Sequence, residues 1–359
     1  DGTLKFDTKV DSSGFKSGVD KITSIAKTGL KAAVGAIGAV STALTVAGGY
    51  AIKIGSDFEA GMSEVAAISG ATGEDLEALT TKAKEMGAIT KFSATESAEA
   101  FKYLAMARRK TEDILGGIEG IINLAPASGE ALPTVSYICT DALTAFGLQA
   151  SDSSHFADVL AKAASNSNTN VGMMGATFKY VAPIAGSMKY RIEDTAVAIG
   201  LMANAGIKGE QAGTSLRAML TRLVDPPKDA AAALEALNIS ATNADGTMRP
   251  LNDVLVDLRE GFAGLDDSQK ASYASSIAGT EAMSGLLAIV NASDDDFNQL
   301  TEAINHSDGA AKQAAETMQD NFKGAMEELG GSVETLGLEI YEQIQVTLKN
   351  AAQQGTEYI

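Results

Sequence analysis

The sequence predicts a mainly α protein: an elongated multi-helix chain with duplicated helical units, a short N-terminal strand and one small β-hairpin. Three observations predict it. Helix-start signals, alanine-rich apolar faces and glycine stops recur from Phe92 to beyond Arg217. Alternation of period two is sparse, confined to about residues 3–10 and 238–250. A phrase near Phe101 returns near Phe178 with the same followers.

The elements follow in order. Leu4, Phe6 and Val10 alternate with polar neighbours, which reads as a strand that must pair with something else to be stable. Ser12-Ser13-Gly14 turns into an amphipathic helix carrying Phe15, Val19, Ile22 and Ile25. Residues 1–29 form this first unit, and residues 30–56 an Ala/Gly-rich apolar helix. Between Lys31 and Lys53 no charge occurs from Ala32 to Ile52, a length that could span a bilayer. Its content is mostly Ala and Gly, and Gly35 and Ala39 give the small-residue spacing of close helix contacts. Val34, Gly35, Ile37, Gly38, Ala39, Leu44 and Val46 are therefore candidates for self-association, packing on protein, or membrane contact.

Residues 57–308 read as a helical core. Thr72–Asp75 and Ser93–Glu96 fit the capping box, and Gly87 fits a helix stop. Pro226-Pro227 ends a helix near Val224, and Ser165–Asn170 is a polar connector. Pro126 and Pro133 fall in expected helix, where each either opens a first turn or costs about 3 kcal/mol. Asn243–Thr247 is a turn, flanked by Ile239 and Met248, and predicts the hairpin. The internal echo sets Phe101-Lys102-Tyr103, Glu112-Asp113 and Gly129-Glu130 against Phe178-Lys179-Tyr180, Glu193-Asp194 and Gly209-Glu210. Residues 309–359 read as an extended amphipathic helix, the root of a rod or a helix folded back on the body. Its seam is Met318, Phe322, Met326, Leu329, Val333, Leu336, Ile340, Ile344 and Leu348, weakened in the middle by Gly330-Gly331.

Composition narrows the function. Aromatics are 5% and Trp is absent, so small residues must pack helices closely. Net charge is −18, while residues 1–56, with seven Lys and four Asp, carry +3. An acidic body argues against sequence-specific nucleic-acid binding, which needs a basic footprint. The single Cys139, in an apolar stretch, reads as a buried small hydrophobe. The opening Asp1 in place of Met predicts a piece of a longer chain, and no signal-peptide pattern opens it. Catalytic patterns are missing: no Gly-x-Ser-x-Gly, no phosphate-loop lysine motif, no His-Glu-x-x-His. Asp152, Ser153 and Ser154 beside His155 read as helix capping, as do Ser293 and Asp296 in the Asp294–Asp296 run. No enzyme, cofactor or metal site is expected.

The order of segments resembles the N-terminal and core region of phage tail tape measure proteins over most of residues 1–310. The stretches that carry it are Phe58–Val65, Thr90–Glu96, Glu193–Ala196, Gly200–Gly209, Gly213–Arg217 and Asp245–Leu251. Arg108-Arg109 departs from the pattern, and Arg191 stands where a Ser or Thr cap is expected, at about 1 kcal/mol. The resemblance implies a structural assembly protein that sets tail length and is released around DNA delivery. It implies tail tube protein, tail assembly chaperones and baseplate or tail-tip proteins as partners, a homo-oligomer, and transient membrane contact. It also implies a place in the virion tail lumen, in the bacterial cytoplasm during assembly, and at the host membrane during delivery. The competing expectation is a membrane-active helical protein inserting through residues 32–52.

Overall fold

The structure is a computed structural model and describes residues 43–107 and 110–357, with the side chains of 49–107 and 110–350. These residues form sixteen α-helices and no sheet. The first nine are α1 (Ala43–Ser69), α2 (Glu74–Ile89), α3 (Ala94–Met106), α4 (Thr111–Ser128), α5 (Leu132–Phe146), α6 (Ser153–Ser165), α7 (Val171–Ser187), α8 (Ile192–Asn204) and α9 (Gly209–Val224). There follow α10 (Lys228–Ala236), α11 (Leu251–Ala263), α12 (Asp267–Ala278), α13 (Met283–Val290), α14 (Asp294–Asn305), α15 (Ala310–Gln319) and α16 (Phe322–Glu357).

Short connections fold successive helices back on one another, and the result is two layers. In one, α1, α3, α5, α7 and α9 each pack on the next. In the other, α2, α4, α6 and α8 do the same, and α14 extends the row. One continuous core from Phe58 to Leu338 runs between them. Small residues bring the backbones close: a Cβ on Gly120 in α4 would strike the Ser153–Ser154 backbone in α6 at 2.5 Å. Larger side chains fill what remains, as where Phe178 meets Phe156 and Phe146 edge-on at 5.5 and 6.1 Å. The centre is α8, buried at every residue from Ile192 to Ala203. A helix apolar on all sides is stable only when wrapped by others.

The echo falls on matching places. Phe101 in α3 and Phe178 in α7 are both buried, and Glu112-Asp113 and Glu193-Asp194 sit in the first turns of α4 and α8. Gly129 before α5 and Gly209 opening α9 both have positive φ, 72° and 59°.

Several expectations are met locally. Ser93 and Glu96 make a reciprocal capping box, and Ser293 caps α14. Helix α9 ends at Val224 before Pro226-Pro227. Pro133 opens α5, whereas Pro126 lies inside the last turn of α4 and leaves the Ile122 carbonyl without its helical donor. Cys139 is buried, and burial pushes its thiol up to about 12.

Other expectations are corrected. The hairpin near 238–250 is a single antiparallel bridge, Thr242–Met248. Its arms are cut short by the end of α10, with Asn238 at φ 56°, and by Pro250, which opens α11. Thr72 caps nothing: Gly73 holds the N-cap of α2 at φ 56° without a side-chain bond. Gly87 does not stop α2, which continues to Ile89; it is buried because Ala94 leaves no room for a side chain. Ser153 is no cap either, since its hydroxyl is buried and donates to the Gly117 carbonyl at 2.6 Å. Arg191 supplies no side-chain cap to α8, yet its guanidinium meets Glu193 at 2.9 Å, which offsets that loss. The N-terminal strand, the helix after Ser12 and Arg108-Arg109 lie outside the described residues.

Candidate assembly surface

Residues 309–359 begin with α15, which is tied down from beneath. Its apolar contacts are alanines: Ala311 and Ala315 are buried where α15 packs on α4 and α6. Its N-terminus is capped by another helix, because the Gly309 and Ala311 N–H groups both donate to the Asp158 carboxylate of α6 at 2.8 Å. A carboxylate at a helix N-terminus meets unpaired donors and the positive end of the dipole.

Around this joint sits a cluster of charged side chains. His155 Nε2 bonds Glu193 at 2.9 Å, and its Nδ1 lies 3.7 Å from Asp308. Arg191 meets Glu193 at 2.9 Å, Asp194 at 4.0 Å and the Asn305 side chain at 3.3 Å. Burial pushes the Glu193 carboxyl up, but the bonds from Arg191, its own backbone and His155 outweigh it and leave it below its ordinary value. Burial wins at Asp194, which is raised despite Arg191. The cluster links α6, α8, the end of α14 at Asn305 and Asp308 in the connection to α15, a structural task. Nearby, the Tyr190 hydroxyl is buried without a hydrogen-bond partner.

At Asp320-Asn321 the chain turns, the Asn321 side chain accepts from the Gly324 N–H at 3.1 Å, and α16 begins. Helix α16 lies on α1 and α2. A Cβ on Gly337 would meet Ile54 at 3.7 Å and Tyr50 at 3.8 Å, and Tyr341 packs over Gly55 and donates to Glu59 at 2.6 Å. The pairings advance together, so α1 and α16 run parallel. The Tyr341 hydroxyl is pushed up to about 12, first by that bond and then by burial. Against α2 and α3 the links are Lys84–Glu342 and the Thr95 N–H and hydroxyl donating to Glu334 at 3.2 and 3.0 Å. Gly331 sits so close to the Gly87 carbonyl that no side chain fits.

The expected seam divides here. Met318 is on α15 and the other eight residues are on α16. Met318, Phe322, Met326, Val333 and Leu348 are exposed, Phe322 by 82%. Leu329, Leu336, Ile340 and Ile344 are half-buried. What α16 buries is Gly324, Gly331, Gly337 and Leu338. Sequence reading missed that stripe by scoring apolar bulk, although glycines about two turns apart were its signal. Of the apolar candidates, Leu44 and Val46 fall in α1, and Val34, Gly35, Ile37, Gly38 and Ala39 lie outside the described residues. Among the described residues, no helix is long and apolar enough to cross a membrane and no group of His, Cys, Asp and Glu could hold a metal ion.

A layered helical body with a joint, a laid-down terminal helix and an apolar stripe facing outward has the make-up of a protein that works by assembling. The family model described as phage-related minor tail protein matches residues 80–279. The chain belongs to this family, that of the phage tail tape measure proteins, and is a structural component of a phage tail. It is 39% identical to the tape measure protein of Pneumococcus phage Dp-1 over 83% of this chain and 26% of that protein. It is 29% identical to the probable tape measure protein of Escherichia phage P2 over 92% of this chain and 41% of that protein. A probable tape measure protein of Clostridium phage phiCD119 is 25% identical over 86% of this chain and 33% of its own length. The chain thus spans about a quarter to two fifths of these relatives. No solved structure matches it.

Proposed function

We propose that this chain is the N-terminal and core part of a tape measure that sets tail length during tail assembly and is released around DNA delivery. The observation that carries the reading is the 39% identity to a tape measure protein over most of the chain. The fold supports a division of labour. Residues 57–308 are the folded core, duplicated in its helical units, with residues 1–29 and 30–56 before it, and the measuring length belongs to helix continuing beyond residue 309. The tail tube protein polymerises around that length, with assembly chaperones and baseplate or tail-tip proteins at its ends. Several copies act together in the tail lumen, after assembly in the bacterial cytoplasm.

The test is electron microscopy of particles whose parent protein carries in-frame deletions beyond residue 309. An α-helix rises 1.5 Å per residue, so removing about 100 residues shortens tails by about 150 Å. Deletions of one helix pair within 92–305 should instead abolish tails by unfolding the core. Tails of unchanged length after the distal deletions would overturn the ruler reading.

A further inference from the structure

The bend between α15 and α16 involves two residues, Asp320 and Asn321. Helical bonding runs up to it and resumes just after it: the Asp320 N–H donates to the Glu316 carbonyl, and the Ala325 N–H to the Asn321 carbonyl, both at 3.0 Å. Asp320 has φ −71°, within the helical range, and leaves the helix only through ψ, which is 64°. Turning that ψ by roughly 105° restores a helical residue. The Asn321 side chain fixes the bend from both sides, accepting from the Gly324 N–H at 3.1 Å and donating to the Met318 carbonyl at 2.7 Å. Gly324 is buried because the bend presses it on the Gln319 carbonyl, where no Cβ fits. No proline occurs after Ala310. The apolar seam, meanwhile, ignores the bend. Its spacing of three and four residues passes from Met318 on α15 to Phe322 and Met326 on α16 without a break, though only an unbroken helix sets these three on one face.

We propose that Asp320-Asn321 is a hinge, and that α15 and α16 straighten into one helix from Ala310 to Asn350 or beyond when α16 lifts from α1 and α2. Helix α15 stays in place, since Ala311 and Ala315 are buried in the body and Asp158 caps its N-terminus. It then serves as a formed nucleus, and adding residues to an existing helix is far easier than starting one. The links that open are partly exposed, Lys84–Glu342, Thr95–Glu334 and Tyr341–Glu59 among them, and such links hold weakly. Met318, Phe322 and Met326 are already exposed in the bent form, so straightening joins them into one stripe without first unburying them. The bent form is the stowed state of a rigid arm. This hinge does not depend on the parent protein setting tail length.

The test is a pulsed electron paramagnetic resonance distance between spin labels at Gln313→Cys on α15 and Gln343→Cys on α16, both exposed, in the 359-residue chain whose Cys139 is buried. The 30 residues between them rise about 45 Å in an unbroken helix, and the bend brings them nearer. Two variants open the hinge by different routes. Gly324→Ala puts a methyl against the Gln319 carbonyl in the bent form only, and Gly331→Ala lifts α16 from the Gly87 carbonyl. Each is expected to convert the starting distance to a narrow population at about 45 Å, and conversion in either supports the hinge. Adding Phe322→Pro is expected to abolish that population, because proline suits the first position of α16 but not the interior of a helix. An unchanged distance in both glycine variants would overturn the proposal in favour of a fixed bend. A broad distribution would overturn it in favour of a loose tether. A long-distance population untouched by Phe322→Pro would overturn it too, since no helix would then run through the bend.

Discussion

Helices α8 and α16 belong to one chain and are held by opposite means. Helix α8 is buried on all sides, and its two acidic residues are paired at its first turn. Helix α16 buries one leucine and three glycines, is pinned by polar links at Glu334, Tyr341 and Glu342, and turns its larger apolar residues outward. Burial of apolar area and close packing dominate folding energy, whereas exposed ion pairs contribute little. The body is therefore the stable unit, and α16 is an element that can leave it without unfolding it.

The largest expected difference is between phenylalanines. Phe178→Ala removes a ring fully enclosed by Phe146 and Phe156 and should cost about 3–5 kcal/mol, seen as a lowered denaturation midpoint. Phe322→Ala should change global stability by less than about 0.5 kcal/mol in the same titration. Equal losses at the two sites would mean that α16 folds as part of the core.

Next comes the charge cluster. Arg191→Ala leaves Glu193 and Asp194 nearly buried without their cation and should cost about 2 kcal/mol at neutral pH, less than a fully enclosed pair because Arg191 is itself exposed. The pH dependence has a definite sign. Glu193 is held below its ordinary 4.5, so its stabilisation is present above that value and is lost as pH falls through the lowered one. Asp194, raised above its ordinary 3.8, opposes this: it favours the folded state when protonated and loses that contribution as pH rises. The gap between wild type and Arg191→Ala should therefore narrow on acidification below 4.5, measured by chemical denaturation across pH. A gap independent of pH would show that Arg191 acts by packing alone.

Smaller, but opposite in sign at adjacent residues, are the two central glycines of α16. A side chain on Gly330 meets nothing, so Gly330→Ala should stabilise the helix by about 0.5–1 kcal/mol. Gly331→Ala drives a methyl into the Gly87 carbonyl and should lift α16, with faster amide exchange over residues 322–350 and little change in the body. The smallest effect belongs to Asp158→Asn, which removes the charge capping α15 and should cost about 0.5 kcal/mol, read as faster exchange at Gly309 and Ala311.

Which of these features were legible in the sequence follows from their range. The helical class, the Ser93 and Ser293 caps and the break at Pro226-Pro227 depend on neighbours within a turn, and the sequence shows them. Gly87 and Gly331 misled for a common reason. A glycine that ends a helix and one that lets another backbone approach look alike until the approaching residue, Ala94 or Gly87, is known. Arg191 looked like a missing cap because one of its partners, Asn305, stands 114 residues away, and because pairing with the nearby Glu193 depends on how the guanidinium folds over the first turn of α8. The hairpin failed because turn chemistry at Asn243–Thr247 says nothing about the room left for strands. For the candidate surface, periodicity found the apolar stripe of α16 but not which side faced the body, since the buried side is made of glycine.

The parallel course of α1 and α16 has a mechanical meaning. Residue 43 and residue 357 lie toward opposite ends of the same helix pair, so a pull applied between them slides one helix along the other. In that geometry the Tyr341–Glu59 and Lys349–Glu59 links resist the slide within the pair, while Lys84–Glu342 and Thr95–Glu334 anchor α16 to α2 and α3, so load is shared as among rivets along a lap joint. An antiparallel pair pulled from neighbouring ends would peel one link at a time. The pair thus resists stretch along its length better than lifting from its side.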